Sequence, residues 1–217
     1  FIPRAIMQGI PLLFGSTGET LTEKSGNLNL GIAGIMYVGG ISGVIGAFLY
    51  EQGAGGAAGM NGFLAVMIPL LSCLLGSLLM GLLYCFLTVT LRANQNVTGL
   101  AMTTFGIGLA GHLINSIKAK MSIITRASKY FTTLFPFSDK LGWFGEIFLS
   151  HGVLVYLAIA IAVVAQIVLN KTRVGLHLRA VGENPATADA AGINVTLYKY
   201  LATCIGCGIS GIGGLFC

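Results

Sequence analysis

Residues 62–91 read GFLAVMIPLLSCLLGSLLMGLLYCFLTVTL, without one charged side chain. The hydrocarbon core of a bilayer is about 30 Å thick and is crossed by about 20 apolar residues in a helix. This run is long enough to span it with tilt, or to include a re-entrant part. Because its apolar residues are continuous rather than alternating, it predicts a helix and not a barrel strand.

Five further apolar runs surround this one, and together they predict an all-α, polytopic transmembrane helix bundle of about six spans. The chain, 1–217, is predicted to be a single transmembrane domain. It begins without Met, and its last run ends without a polar flank, so we expect it to be incomplete at the C-terminus. The five runs are Ala5–Phe14, Leu28–Tyr50, Ala93–Ile117, Ile147–Asn170 and Tyr200–Cys217.

The composition supports a membrane protein. Apolar residues make up 55% of the chain and charged residues 9%, whereas soluble domains carry roughly 25% charged residues. The net charge of +5 indicates loop Lys and Arg that meet anionic lipid headgroups, so membrane lipid is a predicted partner. Nucleic acid is not, because no basic patch alternates with aromatic residues. The basic residues divide evenly between the two sides of the predicted bundle, so charge does not decide its orientation.

Pairs of small residues four apart predict close helix contacts, within one subunit or between two. They are Gly39/Gly43, Ser72/Gly76 and Ser77/Gly81, and the last run adds Gly206, Gly208, Gly211, Gly213 and Gly214. All five cysteines also lie in apolar runs. Cys204-x-x-Cys207 has no His, Asp or Glu near it, so we interpret both as small helix residues. The sequence predicts no metal site and no cofactor.

No enzyme motif is present: the chain lacks G-x-S-x-G, H-E-x-x-H and a P-loop. We therefore predict that the protein is not an enzyme. If ATP drives it, another chain must bind the nucleotide.

Residues 172–199 form a polar stretch in a chain with few polar residues. Asn184 is a good N-cap and Pro185 fits the first helical position. A small-sided helix of about two turns follows, and Gly192 is suited to the left-handed conformation that ends it. Such a helix fits the groove of another protein, or serves as a plain connection.

Two other polar stretches lead into apolar runs. In 18–31, Ser25 or Asn27 is predicted to cap the following helix, whose N-terminus either faces a polar cavity or follows an ordinary turn. In 92–99, Asn96 stands at a similar entry. Our hypothesis is that Asn27, Asn29 and Asn96 line a solute route, because broken helices of this kind line transport pathways.

Three segments together resemble one family. Arg179-Ala180-Val181-Gly182-Glu183-Asn184-Pro185, with Ala188-Asp189-Ala190-Ala191-Gly192-Ile193-Asn194-Val195, is similar to the cytoplasmic coupling loop of ABC importer permeases for simple sugars and nucleosides. Gly18-Glu19 with 23–31 and 34–36 resembles their loop-to-helix signature, and 90–95 with 97–101 is a third match. The E-A-A-x-x-x-G motif of other importers fits poorly, since Ala186-Thr187-Ala188 stands where Glu-Ala-Ala would.

The resemblance implies an importer permease, closest to the nucleoside-type branch, in a bacterial cytoplasmic membrane. Its implied partners are an ABC ATPase subunit, a second permease subunit and an extracytoplasmic substrate-binding lipoprotein. Loop 171–199 would be the cytoplasmic coupling loop, and several more helices would follow Cys217. The alternatives are a permease for simple sugars such as ribose, or a secondary transporter or channel working without ATP. The implied ATPase-coupling residues are Gly182, Glu183, Asn184, Pro185, Ala188, Asp189 and Gly192.

Overall fold

A computed structural model describes residues 2–53, 62–117 and 153–216, and these residues form helices without a strand among them. The all-α prediction is therefore confirmed. The helices are α1 (Ile2–Lys24), α2 (Ile32–Gly53), α3 (Gly62–Cys85), α4 (Gln95–Ile117), α5 (Val153–Lys171), α6 (Arg173–Glu183), α7 (Pro185–Ala190) and α8 (Val195–Phe216), and α3 continues into a π-helical turn at Phe86–Thr90.

Among the described residues, four helices are long and apolar enough to cross a membrane, namely α2, α3 with its π-helical turn, α4 and α8. The count is five if α5 and α6, which meet at a bend of 76°, form one span. The start of the predicted run Ile147–Asn170 lies outside the described residues.

Helix α1 is longer than its predicted apolar run, because 15–24 is also helical. The polar stretch 18–31 was interpreted as the approach to the next helix, and that interpretation was wrong for 18–24, which belong to α1. The hydroxyls of Thr17, Thr20 and Thr22 donate to the carbonyls four residues earlier, at 2.7, 2.8 and 3.1 Å. A side chain at Gly18 would overlap the backbone of Gly206 in α8, so tertiary packing keeps these poor helix formers helical.

The core forms where α2 packs against α3, α4 and α8, while α1 packs against α8 and α5. Glycines sit at these crossings. A Cβ at Gly39 would lie 2.8 Å from the Cα of Gly211, and a Cβ at Gly106 would lie 2.7 Å from the Cα of Gly34. The prediction of close helix contacts is confirmed, and these contacts lie within one chain.

The 172–199 stretch is mostly helical, and α6 was missed in the sequence. The side chain of Thr172 caps α6 by accepting from the N–H of Gly175 at 3.2 Å. Gly175 lies against the end of α5, where a Cβ would be 2.5 Å from the carbonyl oxygen of Leu169. Arg179 donates to that same oxygen at 2.6 Å. These contacts hold α6 folded back at 76° to α5.

Candidate functional site

The break between α1 and α2, residues 25–31, alternates between buried and exposed residues, and we call it the Ser25–Gly31 segment. Ser25, Asn27 and Asn29 are 0%, 1% and 2% exposed. Helix α1 ends in a Schellman motif, in which Gly26 has a φ of +82°. The backbone N–H of Gly26 donates to the carbonyl of Glu23 at 2.8 Å, and the backbone N–H of Asn27 donates to that of Thr22 at 3.3 Å. The burial of all three polar side chains distinguishes this segment from an ordinary exposed turn.

Side chains from three helices hold the first half of this segment. The amide nitrogen of Asn27 donates to Thr203 of α8 at 3.2 Å, and its amide oxygen accepts from Gln95 of α4 at 3.4 Å. Gln95 also accepts from the N–H of Leu28 at 2.9 Å. Tyr84 of α3 donates to the carbonyl of Leu28 at 2.6 Å.

The second half is held in the same way. The backbone N–H of Asn29 donates to the carboxylate of Glu19 of α1 at 3.0 Å, and the side-chain amide nitrogen of Asn29 donates to the sulfur of Cys207 of α8 at 3.6 Å. Its amide oxygen accepts from the N–H of Gly31 at 3.0 Å. The predicted capping of α2 by Ser25 or Asn27 is wrong: α2 begins at Ile32, and the hydroxyl of Ser25 donates backward to Thr22 at 2.6 Å.

The three segments that carried the family resemblance meet here. Gln95 belongs to the match at 90–101, and its amide group also reaches the carbonyl of Gly26 at 3.5 Å. Gly182 belongs to the match at 179–195 and lies directly on Gly26, where a Cβ would be 3.1 Å from the Cα of Gly182. Sequence reasoning did not identify Tyr84 or Thr203, which lie in apolar runs. A fully buried Tyr in such a run needs a hydrogen-bond partner, which is the signal that points to Tyr84.

The asparagines of the predicted solute route do not come together. A groove of about 770 Å³ between α1 and α2 is lined by Asn29, Ser16, Glu19 and Glu23 among mainly apolar residues. One carboxylate oxygen of Glu19, Oε2, is buried without a partner among the described residues. Asn27 is not part of that lining, and Asn96 is exposed on the first turn of α4.

Helix α7 forms where its sequence predicts it. The side chain of Asn184 accepts from the N–H of Thr187 at 3.1 Å, and Pro185 occupies the first turn. Gly192, with a φ of +83°, ends the helix by donating to the carbonyl of Asp189 at 2.9 Å. Ala188 is 3% exposed and anchors the helix. The rest of α7 is exposed.

Substitution of Asn27 and Asn96 by leucine distinguishes a packing role from a pathway role. We expect Asn27→Leu to cost about 1–3 kcal/mol of stability, because Thr203 and Gln95 lose a buried partner. We expect Asn96→Leu to change stability by less than about 0.5 kcal/mol, as at most surface sites. Thermal unfolding and solute uptake are measured together: a lower affinity in a stable Asn96→Leu protein supports the pathway role, and unchanged uptake removes that residue from it.

The family model described as the branched-chain amino acid transport system/permease component matches residues 1–217. The guanosine ABC transporter permease protein NupQ of Bacillus subtilis is 30% identical over 98% of this chain and 65% of its own length. The nucleoside ABC transporter permease protein NupC of Lactococcus lactis is 34% identical over the same shares. A putative glucose ABC transporter permease protein, TsgC13 of Haloferax volcanii, is 31% identical over 94% of this chain and 57% of its own.

The chain thus spans about 65% of the length of the first two of these relatives. No solved structure matches it.

Proposed function

Because this chain belongs to the family of the branched-chain amino acid transport system permease component, we propose that it is part of the permease subunit of an ATP-driven importer. The observation that carries the proposal is α7, a short helix that is capped at both ends and exposes mainly small side chains. It projects from a bundle of helices that are apolar enough to cross a membrane. The proposal places ATP hydrolysis on a separate ATPase subunit, since residues 1–217 contain no P-loop.

Helix α7 is proposed to be the docking element for that ATPase. Beside it lies a surface groove of about 610 Å³, lined by Pro185, Ala186, Asp189 and Gly192 together with the first residues of α8. The groove suits a side chain of a partner, while the alanines allow a close approach. Gly182, Glu183, Asn184, Pro185, Ala188, Asp189 and Gly192 are the proposed coupling residues. This assignment puts 171–199 on the cytoplasmic side.

The proposed solute is a nucleoside, delivered by an extracytoplasmic binding lipoprotein to a pathway that this chain forms with a second permease subunit. Two of the relatives are named for guanosine and nucleoside transport. The one named for glucose keeps a simple sugar as the second candidate. Uptake of radiolabelled guanosine and glucose into proteoliposomes with the full-length protein and its partners decides between them. If neither solute is taken up in an ATP-dependent manner, the proposal is overturned.

A secondary transporter remains the alternative from another class, and the structure adds an observation in its favour. Coupling to an ion uses ionisable groups within the bundle, and the apolar runs of the sequence contained no Asp, Glu, Lys or Arg. Helix α2 extends to Gly53, however, and includes the buried Glu51, while α1 holds the partly buried Glu19. Uptake that persists with an inactive ATPase, and that stops when ion gradients are dissipated, would favour this alternative.

Substitution of Gly192 by valine tests the docking element. A left-handed backbone costs an L-residue roughly 1–2 kcal/mol. A Cβ at Gly192 meets no atom within 4 Å, so the cost arises from the backbone alone. We expect the end of α7 to unwind, ATP hydrolysis to continue and uptake to fall about tenfold. Gly108→Val is the control, because Gly108 is also in open space but has an ordinary helical conformation. Normal uptake and normal ATP hydrolysis in Gly192→Val would contradict the docking role.

A further inference from the structure

Both helices that flank α7 in the chain touch the Ser25–Gly31 segment. Helix α6 precedes α7 and meets the segment through Gly182, and α8 follows α7 and meets it through Thr203 and Cys207. A movement of α7 therefore has two direct routes to the same segment.

The contact from α6 is between backbones. A Cβ at Gly182 would overlap the carbonyl oxygen of Lys24 and would lie 3.1 Å from the N–H nitrogen of Gly26. No side chain lies between the two stretches of backbone at this point, so the contact cannot yield by a change of rotamer. Because packed interfaces resist compression, a push on α6 displaces Gly26.

The contact from α8 is a hydrogen bond between buried groups. Thr203 and Asn27 are 0% and 1% exposed, and their side chains lie 3.2 Å apart. Separation of these groups would leave a buried amide without a partner, which is costly. The segment is thus held to α8 when α8 moves away and is pushed by α6 when α6 approaches.

Gln95 attaches the other side of the segment to α4. Its amide oxygen accepts from the N–H of Leu28 at 2.9 Å, and its amide nitrogen faces the side-chain oxygen of Asn27 at 3.4 Å and the carbonyl oxygen of Gly26 at 3.5 Å. One side chain therefore binds three consecutive residues of the break. The break cannot shift relative to α4 without loss of these bonds.

We propose that Gly182 and Gln95 are positioning residues for transport: Gly182 passes the displacement of α7 to the Ser25–Gly31 segment, and Gln95 makes α4 follow it. Residues 25–31 and the start of α4 then move as one unit when the ATPase acts. The groove between α1 and α2, which Asn29 lines, changes shape with that unit. This inference rests on the proposed docking of an ATPase at α7.

Gly182→Ala and Gln95→Leu test the inference in the full-length protein, reconstituted with its ATPase, second permease and binding protein. Gln95→Leu is expected to bind the ATPase as the unaltered protein does, because α6 and α7 are untouched. Gly182→Ala is assayed at saturating ATPase, because its Cβ would meet the carbonyl oxygen of Lys24 and shift α6. Uptake per ATP hydrolysed is expected to fall at least fivefold, with the maximal rate of uptake affected more than the concentration of solute at half-maximal rate. Gly108→Ala is the control for the glycine, because a Cβ there meets no atom within 4 Å.

Gln95→Glu keeps an acceptor for the N–H of Leu28 and loses the donor, so we expect it to restore part of the uptake per ATP that Gln95→Leu loses. A merely structural role would lower the yield of folded protein and leave this ratio unchanged. An unaltered ratio in both Gly182→Ala and Gln95→Leu, in a system where the unaltered complex couples uptake to ATP hydrolysis, would overturn the inference. If the unaltered protein does not bind an ATPase, the proposed function itself fails, which is a distinguishable result.

Discussion

Substitution of Gly106 by leucine is expected to abolish the crossing of α2 and α4. A Cβ at Gly106 would lie 2.5 Å from the carbonyl oxygen of Gly34 and 2.7 Å from its Cα. A Cβ at Gly34 would in turn lie 2.7 Å from the Cα of Thr103. Both obstacles are backbone, so relief requires the two helices to separate. Separation would also break the 2.9 Å bond from Thr103 to the carbonyl of Leu30.

Overpacking of a core costs typically 1–3 kcal/mol, and we expect about 3 kcal/mol here because neither backbone can yield locally. For a chain of this size that corresponds to a fall of roughly 6–12 °C in the unfolding temperature. Gly108→Leu is the matched control: it lies on the same helix, two residues away, and a Cβ there meets nothing within 4 Å. Thermal unfolding in detergent and the yield of monodisperse protein are the measurements. Equal unfolding temperatures for the two variants would show that the crossing is not as close as described.

Substitution of Gly175 by valine is expected to prevent α6 from folding back on α5. Its Cβ would lie 2.5 Å from the carbonyl oxygen of Leu169 and 2.6 Å from the Cα of that residue. As α6 is displaced, the bond from Arg179 to the same oxygen, now 2.6 Å long, is lost. Helix α7 follows α6 directly, so it loses its position relative to the bundle.

We expect the free energy that holds α6 against α5 to fall by about 3 kcal/mol. If uptake requires this position of α6, that change corresponds to roughly a hundredfold fall in uptake. Helices α2, α3 and α4 do not depend on this bend, so the protein should still insert into the membrane. Leu176→Val is the control, since Leu176 is the next residue and is 62% exposed. Uptake and ATPase binding are measured for both variants. Unimpaired uptake in Gly175→Val would contradict a fixed α6.

The sequence was sufficient where structure depends on local chemistry. The apolar runs predicted the long helices, and Asn184, Pro185 and Gly192 predicted both ends of α7, because caps are formed by the side chains and backbone of neighbouring residues. Gly39 identified a close crossing, because a glycine in an apolar helix needs a packing reason.

Sequence reasoning failed where partners far apart in the chain decide the outcome. The polarity of 18–31 indicated a loop, yet Glu19, Gln95 and Thr203 supply the bonds that allow Asn27 and Asn29 to be buried. Nothing local shows that these partners exist. Helix α6 was missed for a similar reason: its two glycines lower helix propensity, but each is required by a contact with another part of the chain.

The angle between α5 and α6 has a consequence for the role of the lipid. If α5 crosses the bilayer, a helix at 76° to it lies nearly parallel to the membrane surface. Val174 and Leu176 are 56% and 62% exposed on that helix, and exposed apolar side chains on an interfacial helix settle among the headgroups. The depth of α6 in the interface then determines how far α7 stands from the membrane surface. A thicker or thinner bilayer would change the distance between α7 and the ATPase, so that bilayer thickness would affect their coupling.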